Sequence, residues 1–417
     1  MMYDIQTLTN GVRIVTCPME GYRSAALGFW VGAGSRQESE AENGATHFIE
    51  HMAFKGTQRR SAADLAEEMD AIGGQFNAFT TKECTCFHAR GLDSHLPRAA
   101  DVLCDMFFHS KFDEKDVELE RGVILEEIGM YEDNPEDLSA EQLYDKVYAG
   151  DALARPILGT KQSLAPMTGA WLKEYMKAHY LPGDIVLSLA GSFTGDDVKR
   201  LADAFGGLTG GKNPPPVPPR YIPSVTAREK PIEQNHLTLA FPSLPYGSDE
   251  RYALQLLSTV LGAGMSSRLF QKVREEKGLC YSVYSYGAGH ADTGLFCIYT
   301  ALGKDTEADA IATILDVVRD VADKGVTKAE LERAREQSKA NVVMGLESTQ
   351  SLMSHMGRSL LLTGEITTPE EILANYDAVT GDQVQDLARR IFNFDAVSLS
   401  AVGQTRSPEE YRKLLGI

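Results

Sequence analysis

No apolar run in this 417-residue sequence approaches the roughly 20 residues that a membrane-spanning helix needs, so no membrane association is expected. Positive charge is scarce. The 41 Lys and Arg face 59 Asp and Glu, a formal net charge of −18, which argues against nucleic acid as a partner. Cysteine is sparse too, and Cys17, Cys84, Cys86, Cys104, Cys280 and Cys297 show neither C-x-x-C nor disulfide-framework spacing. Cys84 and Cys86 would share one face of a strand, too extended to bridge easily. Reduced core thiols fit a cytoplasmic location. The opening M-M-Y-D-I-Q-T-L-T-N-G-V-R-I-V lacks the basic and apolar regions of a signal peptide. Folding is expected to begin at about residue 3, with no targeting segment.

What is present is a globular composition, 43% hydrophobic and 24% charged. The length suits two domains of about 200 residues each. The first half alternates strands and helices. Two strands meet at the Asn10-Gly11 turn, and residues 24–31 form a buried strand. Helical patterns follow at about 42–54 and 61–72, and residues 75–90 read as a strand pair with period-two placement. Further helices are expected at about 94–109, 113–133, 136–148 and 169–180, the last preceding the strand D-I-V-L-S-L-A-G. Six prolines between 214 and 223 favour a stiff extended connector. The expected division is therefore 1–213, a linker at 214–225, and 226–417. The second half repeats the plan: strand H-L-T-L-A-F-P-S-L, helix D-E-R-Y-A-L-Q-L-L-S-T-V-L-G, then S-S-R-L-F-Q-K-V-R-E-E-K-G and strand C-Y-S-V-Y-S-Y. Mixed strands with helices on one side give an α+β class, one sheet-and-helix layer per half.

The chemistry centres on His47-Phe48-Ile49-Glu50-His51. Histidines four apart on a helix lie one turn above each other and can grip one metal ion, with Glu50 projecting close to that face. This is H-x-x-E-H, the zincin order reversed, and it reads as a zinc hydrolase. Hydrolytic zinc takes three protein ligands, so a third is expected elsewhere. The acidic helix at 113–133 offers Glu120 and Glu127, two turns apart on one face, beside a stripe of Val117, Ile124 and Ile128. Glu118, Glu126 and Glu132 read as solvated. In the second half His236, His290 and His355 show no helical pairing, so one metal site per chain is expected. His88, His95, His109 and His179 read as structural. Substrate positioning is expected at the strand around Asn77, Ala78 and Phe79, where a peptide can add to a sheet edge through backbone bonds.

The pieces H-F-I-E-H-M-A-F-K-G-T, G-G-Q-F-N-A-F-T-T-K-E and E-R-G-V-I-L-E-E-I together resemble the pitrilysin-type (M16) metallopeptidases, in particular the short-chain branch that includes the mitochondrial processing peptidase beta subunit. The resemblance implies two homologous α/β-roll domains of the LuxS/mitochondrial-processing-peptidase type, the second without a metal site. It implies His47, His51 and Glu127 as zinc ligands, Glu50 as general base, and Glu120 as the carboxylate behind a ligand. It also matches Arg274 and Tyr281, seven positions apart, to a pair that stabilises developing negative charge. A two-domain chain makes half of the chamber of the family's long members, so a homodimer or a heterodimer with a paralogous chain is implied. The expected function is that of a zinc-dependent metalloendopeptidase cleaving unfolded peptides or presequence-like segments through a zinc-activated water. The alternative, a non-catalytic core subunit of the same fold, typically goes with eroded metal motifs, and here the motif is intact.

Overall fold

The structure, a computed structural model, describes residues 3–417. In the first half of the chain β1 (Asp4–Thr7), β2 (Arg13–Pro18) and β3 (Ser24–Val31) lead into α1 (Ala45–Ala53) and α2 (Ala62–Ile72). Then come β4 (Gln75–Thr80), β5 (Thr85–Leu92), α3 (Leu96–His109), α4 (Glu114–Asp133) and α5 (Pro135–Val147). The short α6 (Lys161–Leu164), α7 (Gly169–His179), β6 (Ile185–Gly191) and α8 (Gly195–Phe205) complete it. Residues 208–224, which hold the proline cluster, carry no helix or strand.

The second half runs β7 (Val225–Glu229), β8 (Asn235–Ser243), α9 (Arg251–Gly262), a π-helical turn at Phe270–Glu275, β9 (Cys280–Gly289) and β10 (Gly294–Leu302). Five helices follow: α10 (Glu307–Lys324), α11 (Lys328–Leu346), α12 (Thr349–Thr363), α13 (Pro369–Ala378) and α14 (Gly381–Ile391). The chain closes with β11 (Ser398–Gly403) and α15 (Pro408–Leu415).

The two sheets share one topology. Their orders are β1-β2-β6-β3-β5-β4 and β7-β11-β8-β10-β9. In each, one parallel pair (β2 with β6, β7 with β11) is followed by antiparallel neighbours. The extra β1 pairs with β2 across the Asn10-Gly11 turn, as its turn chemistry predicts.

The segments group into two compact units, and neither is continuous in sequence. One comprises residues up to Ile128 with Arg155–Val217 and Val343–Pro369; the other comprises Gly129–Ala154, Pro218–Val342 and Glu370–Ile417. Each unit therefore takes one helix from the opposite half of the chain. In the first, Leu27, Phe29, Phe87, Leu187 and Leu189 face a core shared with Phe48 of α1, Phe107 of α3 and Phe205 of α8. Full burial of each such side chain contributes about 1.5–3 kcal/mol. The alternate residues Gly28, Trp30 and Ser188 face α12, with Ser188 Oγ donating to Met353 O at 2.8 Å and Trp30 Nε1 donating to Met353 Sδ at 3.4 Å. That approach needs glycine twice. A Cβ on Gly28 would stand 2.3 Å from Met353 Sδ, and one on Gly357 would stand 2.2 Å from Trp30 Nε1. The second unit repeats the device with α5, where Ser139 Oγ lies 2.8 Å from Thr238 Oγ1.

Helices on one face of each sheet are thus joined by one on the other face, because that face is built of small and hydroxyl residues. Helix α8 is also absent from the expected pattern, although Thr194 and Asp197 form a capping box at its start.

Candidate metal centre

Helix α1 starts without a local side-chain cap, since its N-cap is Gly44. Glu38, buried and six residues upstream, supplies it: Gly44 N and Thr46 N each donate to its carboxylate at 2.8 Å, and Asn43 Nδ2 donates at 3.0 Å. An acceptor carboxylate at this end also opposes the helix dipole favourably. Phe48, Ile49 and Met52 bury one side of α1 and so aim His47 and His51 to the other. Helix α4 is fastened nearby by Arg121, which donates to Met167 O at 2.8 Å and to Leu164 O, and lies 5.6 Å over the Phe48 ring.

This brings the motif residues together. The His47 and His51 rings are 4.6 Å apart. Glu127 Oε2 lies 3.6 Å from His47 Nε2 and 3.5 Å from His51 Nε2. These spacings are long for hydrogen bonds. They match the roughly 3.4 Å between two atoms bound at 2.0–2.1 Å around a tetrahedral ion. Among the described residues, His47, His51 and Glu127 are the group of three metal-competent side chains within such reach.

The tautomers suit the same purpose. Glu120 is 6% exposed, and its Oε2 lies 3.0 Å from His51 Nδ1. An ionised carboxylate can only accept, so Nδ1 carries the proton and Nε2 keeps its lone pair towards Glu127. Its other oxygen takes Lys55 Nζ at 2.6 Å. His47 Nδ1 is buried without a hydrogen-bond partner, so that ring engages its surroundings through Nε2. Burial first, and then the repulsion a protonated His51 would exert, lower the pKa of His47 to about 4 against the opposing pull of Glu127, and a lowered value favours the neutral ring that a metal ligand needs. For His51, burial is outweighed by Glu127 and Glu120, and the net shift is upward. The His51 ring holds the Glu127 carboxyl below its ordinary value despite partial burial. Donor set, spacing and tautomer all fit zinc.

Glu50 sits on the same helix, and its Oε2 accepts from Thr80 Oγ1 at 2.6 Å. Burial raises its pKa although Thr80 opposes the shift, and it senses the charges of His51 and Glu127. Thr80 ends β4, which pairs with β5 and, among the described residues, has no strand on its other side. The three residues expected to position substrate divide between the faces of this edge strand. Ala78 turns into the core with α1, whereas the Phe79 ring lies 5.5 Å from Trp30 and 6.0 Å from His88. Asn77 is exposed and, with Met69, Gln75, Phe76 and His88, lines a groove of about 580 Å³.

Arg274 and Tyr281 belong to the second unit and are brought together there. The guanidinium stands 4.7 Å over the Phe270 ring and 5.1 Å over the Tyr281 ring, and Tyr281 is 73% exposed. The remaining histidines of the second half each have separate partners: His236 with Tyr299 (2.6 Å), His290 with Tyr144 (3.0 Å), and His355 with Thr367 O (3.1 Å). Sequence reasoning missed Glu38, Lys55 and Thr80. Lys55 had a signal, since His47, His51 and Lys55 repeat every four residues.

Comparison with known proteins accords with this geometry. Residues 13–161 match the family described as insulinase (peptidase family M16), and residues 166–338 match the peptidase M16 inactive domain. The zinc protease YmxG of Bacillus subtilis is 44% identical over 390 residues, covering 93% of this chain and 95% of its own length. A zinc protease of Streptomyces coelicolor is 40% identical over 416 residues, covering 97% of this chain and 90% of its own. This chain belongs to the M16 peptidase family. Among solved structures, an M16 inactive domain from Pseudomonas fluorescens superposes with a TM-score of 0.90 at 20% identity, covering 98% of this chain and 99% of that one. A Helicobacter pylori protease gives 0.88 at 18% identity, covering 96% and 99%. Both show the M16 fold.

Proposed function

We propose that this M16 family member is a zinc-dependent endopeptidase that cleaves unfolded peptides or presequence-like segments, with one zinc per chain. The observation that carries this reading is the convergence of His47 Nε2, His51 Nε2 and Glu127 Oε2 beside Glu50. His47, His51 and Glu127 would hold the zinc, which when bound would lower the pKa of a water to about 7 and polarise a carbonyl oxygen. Glu50 takes the proton from the attacking water and returns it to the leaving amine. Glu120 keeps His51 in the ligating tautomer. The unpaired edge of β4 receives the peptide as an added strand, through backbone bonds that scarcely read side chains. In this reading Asn77 and Phe79 flank that edge, and Arg274 and Tyr281 hold negative charge developing on the substrate.

The reading extends to a dimer, of identical chains or with a paralogue, and to the cytoplasm. For the latter the support is six cysteines without a disulfide. No helix among the described residues is long and apolar enough to cross a membrane. The presence of His47, Glu50, His51 and Glu127 together weighs against the alternative of a non-catalytic scaffold. Metal analysis combined with cleavage of a quenched peptide library tests the proposal. Stoichiometric zinc and metal-dependent cleavage are expected; a chain that binds no zinc and cleaves nothing overturns it.

A further inference from the structure

Lys55 lies just beyond the end of α1, its backbone N–H bonded to Met52 O at 3.1 Å. The following segment is pinned. Gly56 O accepts from Lys111 N at 3.1 Å, and Thr57 Oγ1 donates to Asp105 Oδ2 at 2.6 Å. Asp105 is fully buried and also takes Arg59 Nε at 2.9 Å and Arg60 Nη1 at 2.7 Å. The lysine thus rises from a fixed backbone position one turn past His51, on the face that carries both histidines. Its ammonium reaches Glu120 Oε1 at 2.6 Å, while Glu120 Oε2 meets His51 Nδ1 at 3.0 Å.

Exposed lysine ion pairs usually do little, because both partners are mobile and solvated. This pair differs. Glu120 is buried on α4, and both its oxygens are engaged by residues of α1 and the turn after it. With the ammonium gone, Oε1 would lose the partner that sets the rotation of the carboxylate, and the bond to His51 would lose its direction. His51 Nε2 must point at the same place as His47 Nε2 and Glu127 Oε2 for a metal to be held.

We propose that Lys55 is a positioning residue for the metal centre, fixing His51 through the Glu120 carboxylate. The inference rests on the zinc reading above. Partners behind a metal-ligating histidine typically change affinity by about 10–100-fold. The test is zinc affinity of the metal-stripped full chain by chelator competition, a readout independent of catalysis. Lys55→Met is expected to weaken zinc binding by about 10–100-fold, Lys55→Arg to restore most of the loss, and Glu120→Gln to weaken binding comparably. The double variant Lys55→Met/Glu120→Gln should bind little worse than either single one, because both remove the same support. A Lys55→Met chain with zinc affinity within about twofold of wild type overturns the inference, as does full multiplication of the two single effects. Loss of the cooperative thermal transition in Lys55→Met overturns it too, since the role is then structural. Wild-type protein that binds no zinc overturns the metal reading and this inference with it. Wild-type binding with an unaffected Lys55→Met variant overturns the inference alone.

Discussion

Thr80 Oγ1 donates to Glu50 Oε2 across 2.6 Å, which ties β4, the edge strand of the first sheet among the described residues, to α1 at the carboxylate proposed as general base. One hydroxyl thereby joins the strand that would receive a peptide to the group that would move its protons. A hydrogen bond to a charged group is worth about 1.5–3 kcal/mol. Thr80→Val should keep the β-branched shape, leave zinc content unchanged, and lower turnover about tenfold. Steady-state kinetics with parallel metal analysis check this; wild-type turnover would remove Thr80 from the positioning of Glu50.

The cap of α1 makes a second prediction. Glu38→Ala strands the buried N–H groups of Gly44 and Thr46, each at a cost of about 1–3 kcal/mol. The melting temperature should fall, and zinc binding should weaken because His47 sits in the first turn of the helix losing its cap. Thermal unfolding with and without zinc reads both effects. An unchanged melting temperature would mean that water or a neighbour replaces the carboxylate.

The pairing of His47 and His51 was legible in their four-residue helical spacing, whereas Glu127 was drawn from the family resemblance, since no local spacing links it to α1; the structure groups the three side chains. The match of two halves was legible in their repeated strand and helix patterns, and both sheets share one strand order. What escaped notice lies in contacts between distant segments. Glu38 caps α1 from an irregular stretch with no periodicity to announce it. The Ser188–Met353 and Ser139–Thr238 contacts, which seat α12 and α5, link residues 165 and 99 positions apart. The orientation of Phe79 was legible as well. Period-two alternation from Ala78 and Thr80 already sends its side chain to the opposite face, where Trp30 receives it. Lys55 was readable as the third rung after His47 and His51.

Acid stability gives a third prediction. Glu330 belongs to the first turn of α11, where Arg268 Nε and Nη2 hold its carboxylate at 2.7 and 2.8 Å and Thr327 N donates to it at 2.8 Å. The Arg268 contact, working against partial burial, lowers its pKa to about 2 from 4.5. A depressed carboxylate stabilises the fold fully above its unfolded pKa, and the contribution disappears as pH falls through the folded value. Glu330→Gln should therefore destabilise the protein at pH 7 by about 2 kcal/mol, as expected for lost charge-assisted bonds. The difference from wild type should shrink between pH 4.5 and pH 2. Denaturant unfolding across that range checks it, and a constant difference would assign the effect to packing.

The most direct measurement compares wild type with Glu50→Gln for bound zinc and for cleavage of a quenched peptide library, on the same preparations. The amide keeps the shape of the side chain and leaves His47, His51 and Glu127 untouched, but it cannot take a proton. The account predicts wild-type zinc content in Glu50→Gln with cleavage abolished. Cleavage by Glu50→Gln at near wild-type turnover would contradict it.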